Sequence, residues 1–131
     1  MNPKQFLQIG GLVLVLVGVL GFVGVIGPTP EKSPFGTTWW FDNAENWAHL
    51  VLGVVALVLG FGMKNAGLQK NVTLLVGVLG LAFAVYNIFS TKFLGANLQS
   101  PADLILHLVV GVWALWAGTR KPSMTMGGGQ M

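Results

Sequence analysis

Charged residues are scarce in this chain of 131 residues, because aspartate, glutamate, lysine and arginine together make up only 8% of it. A soluble domain carries about 25% of such residues, whereas apolar side chains here reach 53%. Cysteine is absent, which excludes disulfides, thiolate metal sites, iron–sulfur clusters and c-type haem attachment. The few basic residues form no patch with interleaved aromatic side chains, so nucleic-acid binding is excluded as well.

Long apolar runs take the place of the missing charge. About 20 residues of apolar helix cross a bilayer, and four stretches reach or approach that length, at residues 5–27, 45–63, 71–90 and 102–119. A helix that is apolar on every side must be buried in protein or in lipid, and a chain this short has too little protein to bury four. We therefore predict an all-α fold, a bundle of four transmembrane helices over residues 1–121, with a flexible C-terminal tail over residues 122–131.

The basic residues predict how these helices are oriented. If the helices simply cross up and down, one side of the membrane receives Lys4, Lys64, Lys70, Arg120 and Lys121. The other side receives Lys32 and Lys92. The positive-inside rule then places both termini in the cytoplasm. The sequence thus predicts an integral membrane protein with its N- and C-termini in the cytoplasm.

Two segments of the chain are nearly the same. "HLVLGVVALVLG" at residues 49–60 returns as "HLVVGVWALWAG" at residues 107–118, and "VGVLG" at residues 17–21 returns at residues 76–80. Each copy of the longer segment begins with one of the two histidines of the chain. We interpret the bundle as two tandem helical-hairpin repeats, the first over residues 5–63 and the second over residues 71–119, which insert the same way round.

Helical periodicity places each histidine on one face with an acid four residues earlier and three small residues later. In the second helix this face holds Glu45, His49, Gly53, Ala56 and Gly60. In the fourth helix it holds Asp103, His107, Gly111, Ala114 and Gly118. Small residues let membrane helices approach closely, so we predict that the second and fourth helices pack together along these two stripes. Trp113 and Trp116 are then expected to point away, toward lipid or another subunit.

The two acid–histidine pairs are the candidate site, because ionisable side chains within a span mark functional sites. In one interpretation each acid accepts a hydrogen bond from the histidine of its own helix and no cofactor is bound. In another, Glu45, His49, Asp103 and His107 bind a divalent metal ion such as Zn, Fe or Mn. In a third, His49 and His107 ligate a b-type haem or a chlorophyll-like pigment, although the small residues predict helices too close for a macrocycle. A proton relay is the fourth interpretation.

One segment has a family resemblance. "SPADLILHLVVG" at residues 100–111 is similar to a pattern N-P-A-D-x-x-x-H-L-x-x-G, and "NAENWAHLVLG" at residues 43–53 is a looser copy with Glu45 in place of the aspartate. The pattern is that of an uncharacterised family of small bacterial four-helix membrane proteins, a domain of unknown function, which the chain resembles. The resemblance implies a four-span bundle with Asp103 and His107 in its motif, and it implies no activity.

The residue patterns of known catalytic sites are missing from the sequence. It has no glycine-rich phosphate loop after a strand and no nucleophile paired with a base, and no charged residue lies in mid-membrane for a transport path. We therefore expect a protein that is not an enzyme and that serves as a structural or accessory subunit of a larger membrane complex. Its expected partners are lipids and other integral membrane subunits, or further copies of itself. The alternative is a cofactor-binding membrane protein that uses His49 and His107.

Overall fold

A computed structural model describes residues 1–93, 95–98 and 101–120 of the chain. This part consists mainly of four α-helices, α1 (Pro3–Phe22), α2 (Asn43–Leu57), α3 (Ala66–Phe89) and α4 (Ala102–Gly118). A two-residue antiparallel pairing of β1 (Lys92–Phe93) with β2 (Ala96–Asn97) lies between α3 and α4. The predicted all-α class is confirmed, and the predicted tail at residues 122–131 lies outside the described part.

Three helical stretches in the described part are long and apolar enough to cross a membrane. They are Pro3–Phe22, Asn43–Gly62 and Ala66–Phe89. The second includes α2 and a π-helical turn, Val58–Gly62, which continues α2 without a break. α4 is also apolar but, with 17 residues, shorter than the other three. The chain is therefore consistent with a membrane protein.

The first two helices each begin with a capping box. In this motif the side chain before the helix accepts a hydrogen bond from the backbone N–H three residues later, and the side chain of that later residue accepts from the backbone N–H of the first. At α1 the Asn2 side chain accepts from the Gln5 N–H at 2.9 Å, and the Gln5 side chain accepts from the Asn2 N–H at 3.1 Å. At α2 the Asp42 and Glu45 side chains do the same, at 2.9 and 3.2 Å. The carboxyl of Glu45 is thereby turned back toward the start of α2.

The helices pair as two antiparallel hairpins, α1 with α2 and α3 with α4. Glycine allows the close approach within the first hairpin. A Cβ on Gly53 would lie 2.7 Å from the backbone nitrogen of Val15, and a Cβ on Gly60 would lie 3.0 Å from the backbone nitrogen of Gln8. Gln8 also donates from Nε2 to the carbonyl oxygen of Gly60 at 2.9 Å. The small residues of α2 therefore face α1.

The second hairpin is built in the same way. A Cβ on Gly111 would lie 2.9 Å from the backbone nitrogen of Leu81, and a Cβ on Gly118 would lie 3.3 Å from the backbone nitrogen of Leu74. The two stripe glycines of α4 therefore face α3, whereas Ala114 of the same stripe lies in the core between the hairpins. The prediction that α2 and α4 pack together along their stripes is wrong. A stripe of small residues fits any helix that comes close, and in this fold the other helix of the same hairpin packs against its glycines.

The apolar core lies where the two hairpins meet, at the end of the bundle where α1 begins and α4 ends. It is formed by Phe6, Leu7, Ala114 and Ala117, with Ala56 and Trp113 among the side chains packed against it. The Trp113 ring lies 4.6 Å from the Phe6 ring in an edge-to-face contact. Trp113 therefore packs against the other hairpin and does not point away as predicted, whereas Trp116 is exposed.

Candidate functional site

The segment between α1 and α2, residues 23–42, covers the end of the bundle where α2 and α4 begin. We call this end of the bundle the capped end. Two 3₁₀ turns, Pro30–Lys32 and Gly36–Thr38, shape this segment. The backbone N–H of Phe41 donates to the carbonyl oxygen of Ile26 at 2.9 Å, and the Phe41 side chain is buried. Trp39 donates from Nε1 to a carboxyl oxygen of Asp103 at 3.1 Å. The segment thus reaches across from the first hairpin to the second.

Two buried carboxyl groups lie beneath this segment. Glu45, at the start of α2, is 6% exposed, and Asp103, at the start of α4, is 1% exposed. Glu45 accepts the backbone N–H of Asp42 at 3.2 Å, and Asp103 accepts the indole N–H of Trp39 at 3.1 Å. Among the described residues, these two are the only buried charged side chains.

The two histidines lie one turn further along α2 and α4. The His49 ring makes an edge-to-face contact with Phe41, with ring centres 5.1 Å apart, and the His107 ring stacks on Phe83 at 5.5 Å. The Nδ1 atoms of both rings are buried and have no hydrogen-bond partner among the described residues. Each ring therefore has an unused nitrogen in a mostly apolar surrounding.

The structure brings the four predicted site residues to the same end of the bundle, but it does not pair Glu45 with His49. Glu45 uses its carboxyl for the capping box. The reason is that the acid belongs to the first turn of α2, where the unpaired backbone N–H groups compete for it. Within the described residues, no three histidines and acids converge as a group that could hold a metal ion.

Sequence reasoning missed two residues of this end. Trp39, to which the sequence analysis assigns no role, is the donor to Asp103. Asn46 is fully buried against Gly21 of α1, and its Nδ2 donates to the carbonyl oxygen of Phe41 at 3.5 Å. An asparagine one residue after the acid of a helical motif, with a glycine on the neighbouring helix, is a signal that could have found the second contact.

Comparison with known proteins supplies no relative. No family model, no curated protein and no solved structure matches the chain. The resemblance of residues 100–111 to an uncharacterised family therefore stays a prediction. The functional proposals below depend on the contacts and surfaces of this chain alone.

Proposed function

We propose that this chain is an integral protein of the bacterial cytoplasmic membrane that crosses the bilayer four times and serves as a non-enzymatic accessory subunit of a larger membrane complex. Three spans meet the usual requirement of length and hydropathy. α4, with 17 residues, is about 25 Å long at 1.5 Å per residue, close to the lower limit of transmembrane helices. Its antiparallel packing against α3, with close contacts from Leu74 to Leu81, supports its role as the fourth span.

The observation that carries the subunit proposal is a pair of matching apolar ridges on the outside of the bundle. The α2 ridge consists of the exposed side chains Trp47, Val51, Val54 and Val58. The α4 ridge consists of the exposed side chains Ile105, Val109, Val112 and Trp116, at the same spacing. Most of these residues are β-branched, with few rotamers in a helix, so docking of a partner helix costs them little side-chain entropy. Such stiff ridges suit a protein partner better than lipid chains alone.

We propose further that the two hairpins are tandem repeats. A Cβ on Gly11 would lie 3.0 Å from Cγ of Leu57, and a Cβ on Gly77 would lie 2.7 Å from Cγ of Leu115. Leu57 and Leu115 are equivalent positions of the two histidine segments, so Gly11 and Gly77 have equivalent surroundings. The repeated "VGVLG" would instead make Gly18 the equivalent of Gly77. Gly18, however, contacts the backbone of Leu50 and not Leu57, the equivalent of Leu115. The hairpin contacts therefore support the repeat with a different alignment of α1 on α3.

We expect both termini to face the cytoplasm and the capped end to face outside. The chain has no cysteine, so Thr37→Cys and Ala66→Cys, at exposed positions near opposite ends of the bundle, can be labelled one at a time. A membrane-impermeant thiol reagent added to intact cells should label Thr37→Cys and leave Ala66→Cys unlabelled until the cells are broken. Labelling of Ala66→Cys in intact cells would show that the chain has the opposite orientation.

The subunit proposal predicts that other membrane proteins remain bound to the untagged chain in mild detergent, and mass spectrometry of the purified material identifies them. The ridge variant Val51→Trp with Val109→Trp should lose these proteins, because the added bulk disturbs both ridges. The control variant Leu16→Trp with Val78→Trp, at exposed positions of α1 and α3, should keep them. A monomer without any bound protein would contradict the proposal, and a chain bound only to further copies of itself would replace it with a homo-oligomer.

A second candidate function is cofactor binding, favoured by the unused Nδ1 atoms of His49 and His107. Imidazole nitrogens are axial ligands of haem and ligands of several transition metals. The preparation used for mass spectrometry also decides this point. Soret or chlorin bands in its absorption spectrum, or a stoichiometric metal on elemental analysis, would favour cofactor binding. If the purified material retains its partner proteins but shows neither absorption bands nor a bound metal, cofactor binding is rejected.

A further inference from the structure

The charged residues of the chain are divided between the two ends of the bundle. All four acids are at the capped end, with Glu31 in the segment that covers it, Asp42 and Glu45 at the start of α2, and Asp103 at the start of α4. We call the opposite end, where α1 and α3 begin, the basic end. It carries four exposed basic side chains, those of Lys4, Lys64, Lys70 and Arg120. Within the described residues, which include every acid of the chain, none lies at the basic end to neutralise these charges.

In the first hairpin the basic residues form one pair. Lys4 lies one turn before Gln8 on α1, and Gln8 donates from Nε2 to the carbonyl oxygen of Gly60 at 2.9 Å. Lys64 follows Gly60 by four residues, just beyond the π-helical turn. Because α1 and α2 are antiparallel, the turn before Gln8 and the residues after Gly60 lie at the same level. Lys4 and Lys64 therefore form a basic pair at this end of the hairpin.

The second hairpin has a similar pair. Lys70 lies one turn before Leu74 on α3, and a Cβ on Gly118 of α4 would lie 3.3 Å from the backbone nitrogen of Leu74. Arg120 follows Gly118 by two residues, so Lys70 and Arg120 lie beyond the same helix contact. The guanidinium of Arg120 lies 4.7 Å from the centre of the Trp116 ring, a cation–π contact. Because Trp116 is exposed, this contact holds the charge at the outer surface of the bundle.

A hydrogen bond brings the two pairs onto one surface. The Thr73 hydroxyl of α3 donates to the carbonyl oxygen of Pro3 in α1 at 3.4 Å. Pro3 precedes Lys4, and Thr73 lies one turn after Lys70, so the contact joins the starts of the two helices that carry these lysines. Positive charges gathered on one surface without acids attract anions. The complementary partner is therefore negatively charged.

We propose that the basic end binds anionic phospholipids of the leaflet that it faces, with the two basic pairs as contacts for their phosphate groups. A guanidinium group binds two phosphate oxygens at once, and a lysine stem lies along apolar surface while its ammonium reaches the headgroups. The acyl chains cover the exposed ring of Trp116, a residue type enriched at this depth of a membrane. A soluble anion would leave that ring in water. The proposal rests on the membrane-spanning part of the proposed function, but it needs no partner protein.

The test uses the full chain in vesicles of phosphatidylcholine that contain a minority of lipid with a nitroxide quencher near its headgroup. A fluorophore on Ala66→Cys, between Lys64 and Lys70, reports on the basic end, and one on Thr37→Cys reports on the capped end. At Ala66→Cys, labelled phosphatidylglycerol should quench more strongly than labelled phosphatidylcholine. We expect its binding constant to be about fivefold higher for each lysine or arginine in contact with the headgroup. At Thr37→Cys the two lipids should quench alike.

Charge variants assign this preference to the basic pairs. Lys70→Gln with Arg120→Gln should reduce the preference, and the further changes Lys4→Gln and Lys64→Gln should abolish it, so that the two lipids quench equally. Lys70→Arg with Arg120→Lys keeps both charges and should keep the preference.

The matched control is Lys32→Gln with Lys92→Gln, which removes two exposed positive charges near the capped end and should leave the preference unchanged. If this control lowers the preference as much as Lys70→Gln with Arg120→Gln, the preference follows the total charge and the proposal is overturned. Equal quenching by the two lipids before any charge is changed would also overturn it. So would release of labelled phosphatidylglycerol by inorganic phosphate at an ionic strength matched with chloride, since the site would then bind soluble anions.

A fluorophore on Val78→Cys, at an exposed position in the middle of α3, separates this proposal from the one on which it rests. Phosphatidylcholine with a nitroxide deep in its acyl chain should quench this fluorophore. Absence of quenching would contradict the membrane-spanning proposal itself. Quenching at Val78→Cys without a preference for phosphatidylglycerol at Ala66→Cys would overturn the lipid site alone.

Discussion

Gly53→Ala is expected to lower the free energy of unfolding by about 1–3 kcal/mol, the usual cost of overpacking a tight contact. The new Cβ would lie 2.7 Å from the backbone nitrogen of Val15 and 2.9 Å from the carbonyl oxygen of Gly11. Both are backbone atoms of α1, so no change of rotamer can relieve the contact and the hairpin must open. Unfolding of the purified protein by a denaturing detergent, followed by circular dichroism, measures the loss.

Gly10→Ala is the matched control, on the same hairpin. Its Cβ would lie 3.8 Å from the Phe6 ring, an ordinary contact, and alanine favours the helix over glycine by up to about 1 kcal/mol. This variant should therefore be as stable as the unmodified chain or more stable. Gly111→Ala, whose Cβ would lie 2.9 Å from the Leu81 nitrogen, should match the loss at Gly53 if the hairpins are repeats. Equal stability of Gly53→Ala and Gly10→Ala would show that α1 and α2 do not pack this closely.

Asp103→Ala is expected to have the other large effect. The side chain is 1% exposed and accepts the indole N–H of Trp39 at 3.1 Å. Its removal leaves this partly buried N–H without its acceptor, at a cost of about 1–3 kcal/mol if the N–H stays unsatisfied. Asp103→Asn should cost less, because the amide oxygen can still accept from Trp39. Thermal unfolding in detergent ranks the two variants.

A double-mutant cycle separates the indole hydrogen bond from the rest. Trp39→Phe removes the donor and should cost about 1 kcal/mol in the unmodified chain, but less in the Asp103→Ala background, where the acceptor is already gone. Glu31→Ala removes an exposed acid and should leave the stability unchanged. Independent, additive losses for Trp39→Phe and Asp103→Ala would contradict the hydrogen bond that joins the segment of residues 23–42 to α4.

Much of the fold is readable from the chain because its cause is local. The apolar runs predicted the helices, and the Asp42–Glu45 spacing is a capping-box pattern that any start of a helix would use. The place of each histidine one turn beyond its acid was also readable, because four residues make about one turn of a helix. What the two acids do was not readable, because a carboxyl in the first turn of a helix can bond its own backbone, its own histidine or another helix.

The sequence by itself determined which residues are helical and apolar, and which face of each helix carries small residues, because helical periodicity follows from residue order alone. Only the tertiary structure decided which helix covers each face. Glycine stripes set how close a neighbour can come but not which neighbour it is, so α1 and α3 occupy the stripes on α2 and α4. The starts of α2 and α4 then place two buried carboxyl groups, Glu45 and Asp103, at the capped end. The hydrogen bond from Trp39 to Asp103 joins residues 64 positions apart, so no local pattern of the sequence encodes it.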